Sequence, residues 1–188
     1  MSKLVSINQN VSDLVGLAQA SNQKAQLALY DMFSAKMLGV CRQYIKDLQF
    51  AEDVMITAFH KALQNIHKYE PYGSFEGWLR RIMVRECISY LRIQKNKFNV
   101  VEIGDYYFSQ AATTSDYSTS ELIQNAIDQL PVGCKTIFNL YVIEGYKHRE
   151  IADLLSVSVG TSKSQLAHAK KLLKNTLSQL NLKDNGTR

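Results

Sequence analysis

A short stretch near the C-terminus combines side chains that can bond to base edges with cations that can pair with phosphate. These residues are Thr161, Lys163, Ser164, Gln165, His168 and Lys171. Upstream of them, Ile151, Ala152 and Leu155 give a short helix an apolar face, and residues 156–158 are suited to a turn. The pattern predicts a helix-turn-helix whose second helix starts at Thr161 and enters the major groove of duplex DNA.

A second basic stretch lies far upstream, on a helix predicted over residues 74–94. At about 100° per residue, one stripe on its flank contains Arg81, Arg85, Ile88 and Arg92. The predicted core face is apolar and consists of Phe75, Trp78, Leu79, Ile82, Met83, Tyr90 and Ile93. Aligned guanidinium groups can follow a phosphate backbone, and the alternative is a solvated charged face without a ligand. Glu86 falls on the apolar side, where it needs a partner unless packing rotates the helix.

Aromatic residues surround the loop that precedes this helix. Tyr69, Tyr72 and Phe75 flank Pro71 and Gly73, two helix breakers. Exposed aromatics beside cations can stack on unpaired bases, worth about 1–3 kcal/mol per base. The alternative is that they fill the seam between two helices. This core role is favoured for Phe75 and its neighbour Trp78, whereas both readings stay open for Tyr69 and Tyr72.

Charge is unevenly distributed along the chain. The 188 residues carry a net charge of +5, which favours an anionic partner. Both ends are basic, whereas residues 99–124 contain four acidic residues and no Lys or Arg. Two basic lobes joined by an acidic connector indicate a two-domain binding protein.

Residues suited to catalysis or metal binding do not occur in recognisable patterns. The four histidines are scattered, without metal-ligand spacing or a nucleophile motif, so no catalytic residue, metal or cofactor is expected. Cys41, Cys87 and Cys134 are far apart and predict buried thiols in a reducing compartment. The sequence has neither a secretory signal pattern nor an apolar run near the roughly 20 residues of a membrane span. A soluble cytoplasmic protein without membrane insertion is therefore predicted.

Helical periodicity dominates, and the predicted fold class is all-α. Helices are expected over residues 12–19, 24–45, 52–66 and 74–94, with a loop over 68–73. Residues 95–117 lack this periodicity. Ser118 and Glu121 have capping-box spacing, Pro131 suits a first helical turn, and Gly145 ends that helix. The helix-turn-helix follows, and its second helix continues to about residue 180.

Together these residues resemble the sigma-70 family of bacterial RNA polymerase initiation factors, in its extracytoplasmic-function group. Residues similar to family region two are Ala51-Glu52-Asp53-Val54, Ala58-Phe59, Phe75-x-x-Trp78-Leu79-x-Arg81-Ile82 and Tyr90-Leu91-Arg92. Residues similar to region four are Leu130-Pro131, Ile137-Phe138-x-Leu140, Glu144-Gly145, Glu150-Ile151-Ala152 and Gly160-Thr161-x-Lys163-Ser164. The match spans roughly residues 12–98 and 119–178, and in this order and spacing the motifs are specific.

The resemblance implies two small helical domains joined by an acidic, partly flexible linker. Residues 1–97 would form the region 2 domain, 98–118 the linker, 119–182 the region 4 domain and 183–188 a tail. The helix over residues 51–66 would bind the clamp coiled coil of core RNA polymerase. Its expected contact residues are Glu52, Asp53, Met55, Ile56 and Phe59.

The resemblance also implies how promoter DNA is bound. The region 2 loop and helix would recognise and melt the minus-ten element through Tyr69, Tyr72, Ser74, Phe75, Trp78, Arg81, Arg85, Ser89 and Arg92. The second helix of the helix-turn-helix would read the minus-thirty-five element as duplex, with region four also near the polymerase flap. The protein is expected to be a monomer when free of polymerase and to have an anti-sigma factor as a further partner.

Several positions depart from the family pattern. Ile56 and Thr57 replace a Gln-Glu pair, and Arg85 and Ser89 replace Asn and Asp on the promoter-facing helix. In region four, Ser162 replaces an apolar residue, Gln165 replaces Arg, Ser156 replaces the turn Gly, and Lys147 replaces a capping Ser. A buried Ser162 could bond back to a carbonyl one turn earlier, and Gln165 would favour adenine where Arg favours guanine. The scaffold helix loses about 1 kcal/mol without its cap.

Three other functions are compatible with parts of the sequence. An enzyme would need a catalytic constellation, which this sequence lacks. A stand-alone helix-turn-helix regulator would need only residues 119–178 and would bind duplex tightly without polymerase. A helical adaptor that binds proteins alone would tolerate loss of Arg81, Arg85 and Arg92.

Overall fold

Two helical units make up the part of the chain that the structure describes. The structure is a computed structural model that describes residues 2–98 and 119–184, and every regular element in these ranges is a helix. The chain divides into compact units at Met1–Val100 and Val101–Arg188. The predicted all-α, two-domain fold is confirmed. The predicted linker and tail lie almost entirely outside the described residues, so the exact domain boundaries stay predictions.

Four long helices form the N-terminal unit. They are α1 (Ser2–Gln19), α2 (Gln23–Tyr44), α3 (Leu48–Gln64) and α4 (Phe75–Phe98), with a 3-10 turn at Ile66–Lys68. Apolar residues three or four positions apart bury one side of α2 and α3, as helical periodicity requires. The α3 helix begins four residues earlier than predicted, because the Asp47 side chain accepts a hydrogen bond of 3.0 Å from the Phe50 amide and caps the first turn.

The buried face of α4 differs from the predicted one. Ile93, expected in the core, is 55% exposed, and Ile88, expected in the arginine stripe, is buried. Val84 and Cys87 are fully buried as well. The reason is that α4 packs against both α2 and α3, so its buried arc is wide and is rotated away from Ile93.

In the described part of the C-terminal unit, three short helices precede one long helix. They are α5 (Thr119–Asp128), α6 (Val132–Phe138), α7 (His148–Leu155) and α8 (Val159–Asp184), with a π-helical turn at Asn139–Ile143 after α6. The core between α6 and α8 contains Leu130, Cys134 and Ala169, with Phe138, Leu172 and Leu173 packed against it. Buried Lys135 of α6 pairs with Asp128 of α5, which satisfies a charge that burial would otherwise make costly.

The π-helical turn was not predicted from the sequence. In this turn the Glu144 amide donates to the Asn139 carbonyl, five residues earlier, at 2.9 Å. Gly145 then adopts a φ of +75°, and the Tyr146 amide donates to the Leu140 carbonyl at 2.9 Å. Gly145 therefore ends this helical segment as predicted, because glycine adopts positive φ without a Cβ clash.

The turn between α7 and α8 contains a strained serine. Ser156 has a φ of +55°, in the left-handed region that non-glycine residues rarely adopt. Ser158 caps α8 by accepting a hydrogen bond of 2.9 Å from the Thr161 amide, so α8 begins at Val159 rather than at Thr161. At the other end of α7, the Lys147 amide donates to the Glu150 carboxylate at 2.7 Å, which is half of a capping box.

We predict that Ser156→Gly stabilises the C-terminal unit by about 1 kcal/mol, because glycine removes the Cβ strain of the left-handed conformation. Urea unfolding monitored by circular dichroism measures the change. Ser158→Ala is the matched control two residues away, and it should lower stability by about 1 kcal/mol because the α8 cap is lost. A Ser156→Gly variant no more stable than the parent would contradict the strain.

Candidate functional site

Three exposed arginines lie along one side of α4. Arg81, Arg85 and Arg92 are exposed together with Ser89, and these four residues are called the arginine stripe below. The Arg81 guanidinium donates to the Gly77 carbonyl of the preceding turn at 3.3 Å, so its side chain lies along the helix. Ser89 therefore belongs to the stripe in place of Ile88. The stripe presents cations and a hydroxyl at helical spacing, which suits a phosphate backbone.

Glu86 has a partner on the neighbouring helix. Its Oε2 accepts a hydrogen bond of 2.7 Å from Lys61 Nζ of α3. The sequence left open whether Glu86 pairs with a neighbour or whether packing rotates the core face of α4. Both are observed. The Lys61 ammonium thus compensates the charge of the Glu86 carboxylate.

An aromatic cluster supports the loop before α4. The Tyr69 ring lies edge-on to both Phe75 and Trp78, with ring centroids 5.5 Å apart in each case. The Tyr69 hydroxyl donates to the Gly73 carbonyl at 2.7 Å and closes the loop. Phe75 is only 4% exposed and also packs against Phe33. Its predicted contact with DNA is therefore corrected: the Phe75 ring has no face open to a base, and it acts by packing.

Tyr72 lies at the outer side of the same loop. Its side chain is 92% exposed, whereas Tyr69 and Trp78 are half-buried. Ser74 accepts a hydrogen bond of 3.1 Å from the Gly77 amide and so caps α4 as predicted. The structure separates two tyrosines that the sequence could not distinguish: Tyr69 stabilises the loop, and Tyr72 is available to a ligand.

The outer face of α3 carries only part of the predicted polymerase-binding set. Glu52, Asp53 and Ile56 are exposed, Ile56 by 53%. Met55 and Phe59 are buried, with the Phe59 ring 5.0 Å from that of Tyr30. Direct contact of Met55 and Phe59 with a partner is therefore wrong for this structure, because both side chains fill the core.

Phe50 is an exposed aromatic residue that was not predicted from the sequence. It lies in the first turn of α3, half-exposed, with its ring 6.0 Å from that of Tyr90 on α4. The missed signal was Asp47, because this capping residue places Phe50 inside the helix rather than in a loop. Phe50 extends the exposed apolar surface of α3 next to Glu52 and Asp53.

The α8 helix exposes most of the predicted DNA-binding set. Thr161, Lys163, Ser164, His168 and Lys171 are all exposed, while Leu166 and Ala169 face the core. The Lys170 ammonium lies over the Tyr141 ring, 6.0 Å from its centroid. The helix thus buries one side and presents hydroxyls and cations on the other, as a groove-binding helix must.

Ser162 is buried and hydrogen-bonded to another helix. A bond of 2.9 Å joins its hydroxyl to Nδ1 of His148, the first residue of α7. The His148 ring in turn stacks on Tyr141 with centroids 4.5 Å apart. The predicted bond to a carbonyl one turn earlier is therefore wrong, because His148 provides a partner across the helix-turn-helix.

Gln165 lies at the seam between α8 and α6, half-buried. Its Oε1 accepts a hydrogen bond of 2.8 Å from the Cys134 thiol, whose sulfur is 3.9 Å from His168 Nδ1. Burial raises the pKa of Cys134 above its ordinary value, so the thiol stays protonated and keeps its donor. The α6 helix thus holds Gln165 from one side, which the sequence did not indicate.

The remaining thiols have a structural role. Cys41 and Cys87 are buried and free of disulfides, as predicted. The pKa of Cys87 is raised far above its ordinary value, mainly by the hydrogen bond to Cys41 and secondly by burial. Residues 2–98 and 119–184 contain no cluster of His, Cys, Asp and Glu that could hold a metal ion. Within the same ranges, no helix combines the length and apolarity needed to span a bilayer.

Comparison with known proteins matches both units to one family. The sigma-70 region 2 model matches residues 29–97, and the sigma-70 region 4 model matches residues 120–173. The RNA polymerase sigma factor SigV of Bacillus subtilis is 30% identical over 139 residues, covering 74% of this chain and 82% of that protein. The ECF RNA polymerase sigma-E factor of Haemophilus influenzae is 25% identical over 180 residues, covering 89% and 95% respectively.

A solved structure has a similar fold. It is the sigma factor RpoE of Bartonella quintana in complex with the anti-sigma factor NepR, with a TM-score of 0.53 and 18% identity. The match covers 80% of this chain and 95% of that one. At this identity the similarity concerns the fold alone.

We predict that Tyr69→Ala lowers the free energy of unfolding by about 2–3 kcal/mol, because ring packing and the bond to Gly73 are both lost. Tyr69→Phe should lose only about 1 kcal/mol. Tyr72→Ala, the exposed control on the same loop, should change stability by less than about 0.5 kcal/mol. Urea unfolding compares the three variants, and equal losses for Tyr69→Ala and Tyr72→Ala would contradict the division of roles.

Proposed function

Because this chain belongs to the extracytoplasmic-function group of the sigma-70 family, and thus directs RNA polymerase to promoters, we propose that its two units bind different states of promoter DNA. The N-terminal unit would bind core polymerase and open the minus-ten element, and the C-terminal unit would read the minus-thirty-five element as duplex. The observation that carries the proposal is the exposed Tyr72 on the loop that leads into the arginine stripe.

Strand opening would be assisted by the loop before α4. Flipping a base out of duplex DNA costs a few kcal/mol, and stacking on an exposed aromatic returns about 1–3 kcal/mol. Tyr72 is exposed for such stacking, and Tyr69 holds the loop by its bond to Gly73. Arg81, Arg85, Ser89 and Arg92 of α4, with Ser74 and the half-buried Trp78 at its start, would contact the backbone and bases next to the opened position.

Duplex recognition would use the exposed side of α8. Thr161 and Ser164 provide hydroxyls near the start of the helix, where side chains approach base edges. Lys163, His168 and Lys171 lie exposed alongside and would pair with phosphates. Gln165 would contact a base from the edge of this surface.

Polymerase binding would use the outer face of α3. Glu52 and Asp53 provide negative charges, and Ile56 and Phe50 provide exposed apolar area beside them. A combination of this kind is typical of a protein interface with an apolar centre and a charged rim. The partner would be the clamp coiled coil of the polymerase, with the flap near the C-terminal unit.

Binding to polymerase would also raise the effective concentration of both units at the promoter. Each unit then needs only weak affinity for DNA, because the second contact becomes intramolecular. We propose that the free protein is a monomer in the cytoplasm and that an anti-sigma factor covers the same surfaces. The similar RpoE of Bartonella quintana was solved with such a partner. No catalytic role is proposed, since the matched relatives are regulatory factors.

We predict that Lys171→Ala weakens promoter binding by the reconstituted holoenzyme and reduces the slope of log K against log salt by about one unit, since one phosphate contact is lost. Lys163→Ala should act similarly. Filter binding on a promoter with an intact minus-thirty-five element, at several salt concentrations, measures the slope. Lys36→Ala, which removes the partner of Glu76 in the N-terminal unit, is the control with unchanged slope.

An unaltered slope for both α8 variants would contradict duplex binding through this helix. Tight binding of the same promoter without core polymerase would instead favour a stand-alone regulator.

We predict that Tyr72→Ala reduces the extent of strand opening about tenfold, the equivalent of roughly 1.4 kcal/mol of lost stacking. Permanganate reactivity of thymines in the minus-ten element measures opening, and gel shift at low temperature measures closed-complex binding. Tyr72→Phe keeps the ring and should open like the parent. Equal reactivity for Tyr72→Ala and the parent would rule out stacking at this position.

A further inference from the structure

The contact between Cys134 and Gln165 joins α6 to α8, the helix that is proposed to read duplex DNA. Cys134 lies in α6, buried, and Gln165 lies in α8, one turn after Thr161. The sulfur is 2.8 Å from Gln165 Oε1, whereas it is 3.9 Å from Nδ1 of His168. The thiol is the donor to Gln165, because a carboxamide oxygen carries no hydrogen, whereas the role of His168 Nδ1 depends on the tautomer of its ring.

The bond distinguishes the two ends of the Gln165 carboxamide. A carboxamide has one oxygen that accepts hydrogen bonds and one amino group that donates two. Cys134 holds the oxygen toward α6, and the amino group is the other branch on the same carbon, about 120° away from the oxygen. The raised pKa of Cys134 keeps the thiol protonated at neutral pH, which preserves the donor that this orientation needs.

The orientation decides which base edge Gln165 can match. Adenine is read by a carboxamide that accepts from N6 and donates to N7 at the same time. Guanine presents two acceptors, N7 and O6, in the major groove. A carboxamide with its oxygen held away from the DNA has donors to offer and therefore suits guanine better than adenine.

We propose that Cys134 is a specificity-positioning residue, which holds the Gln165 carboxamide with its amino group toward DNA and so makes it select guanine over adenine. The proposal rests on the proposed reading of duplex DNA by α8. It replaces the expectation that Gln165 by itself favours adenine.

The test compares base preferences of holoenzymes on one promoter library. Core polymerase is reconstituted with the full-length parent, Cys134→Ala, Cys134→Ser or Gln165→Ala, and the minus-thirty-five element is randomised. Sequencing of run-off transcripts linked to their templates gives the preference at each position. Cys134→Ser keeps a hydroxyl donor and is the matched control. Cys134→Val, tested in the same assay, removes the donor and puts a side chain somewhat larger than that of cysteine at the buried position.

We expect Cys134→Ala and Cys134→Val to shift the adenine-to-guanine ratio at a single position about tenfold toward adenine, on the scale of one good base contact. Cys134→Ser should retain the preference of the parent. Gln165→Ala should flatten the preference at that position and at no other. Because Val and Ala alter packing differently, a shift shared by both reports the lost donor.

Two outcomes would overturn the proposal. One is a preference in Cys134→Ala and Cys134→Val that equals that of the parent while Gln165→Ala flattens it. The other is an unchanged preference in Gln165→Ala while Lys171→Ala still weakens binding, since Gln165 would then read no base. If no holoenzyme, the parent included, distinguishes any sequence in this element, the proposed function of α8 has failed instead.

Discussion

The burial of Phe75 at the start of α4 is the contact on which the candidate minus-ten surface depends. Its ring packs against Phe33 of α2, which fixes the first turn of α4, and Tyr69 packs edge-on against it. Tyr69 then holds the Gly73 carbonyl, in a loop that leaves Tyr72 exposed. Contacts of α4 with both α2 and α3 bury its other faces and leave the arginine stripe exposed. Packing at the start of α4 thus supports the aromatic part of the surface, and packing along α4 determines the position of the cationic part.

Hydrogen bonds between polar side chains of neighbouring helices also help to position the helices, as the apolar core does. Lys61 with Glu86 joins α3 to α4, Ser162 with His148 joins α8 to α7, and Cys134 with Gln165 joins α6 to α8. The Lys61–Glu86 pair is exposed and contributes little to stability. The bonds of Ser162 with His148 and of Cys134 with Gln165 are partly buried, where a polar group is costly without a partner, so they restrict the positions of α6 and α7 against α8. These bonds specify which face of a helix stays outside. In α8 that face is the one proposed to meet DNA.

Sequence periodicity was sufficient for the number and type of the long helices, because each needs an apolar side and the spacing of Phe33, Met37 and Val40 shows it directly. Periodicity did not predict the buried face of a helix that packs against two neighbouring helices. On α4, contacts with both α2 and α3 move the core face toward Val84 and Cys87, and a single helical wheel cannot anticipate this rotation. Local motifs gave residue types at the site, such as the exposed cations of α8. They could not show that Tyr72 is exposed or that Gln165 has a partner distant in sequence.

The α7–α8 connection shows a balance between stability and recognition in the C-terminal unit. Left-handed Ser156 and the incomplete cap at Lys147 each lower stability by about 1 kcal/mol. Small domains have only about 5–15 kcal/mol in total, so these two positions use a considerable share. A ligand that binds only the folded unit stabilises it by mass action. Promoter DNA and polymerase would therefore add stability to the C-terminal unit when they bind, which offsets the loss at the turn.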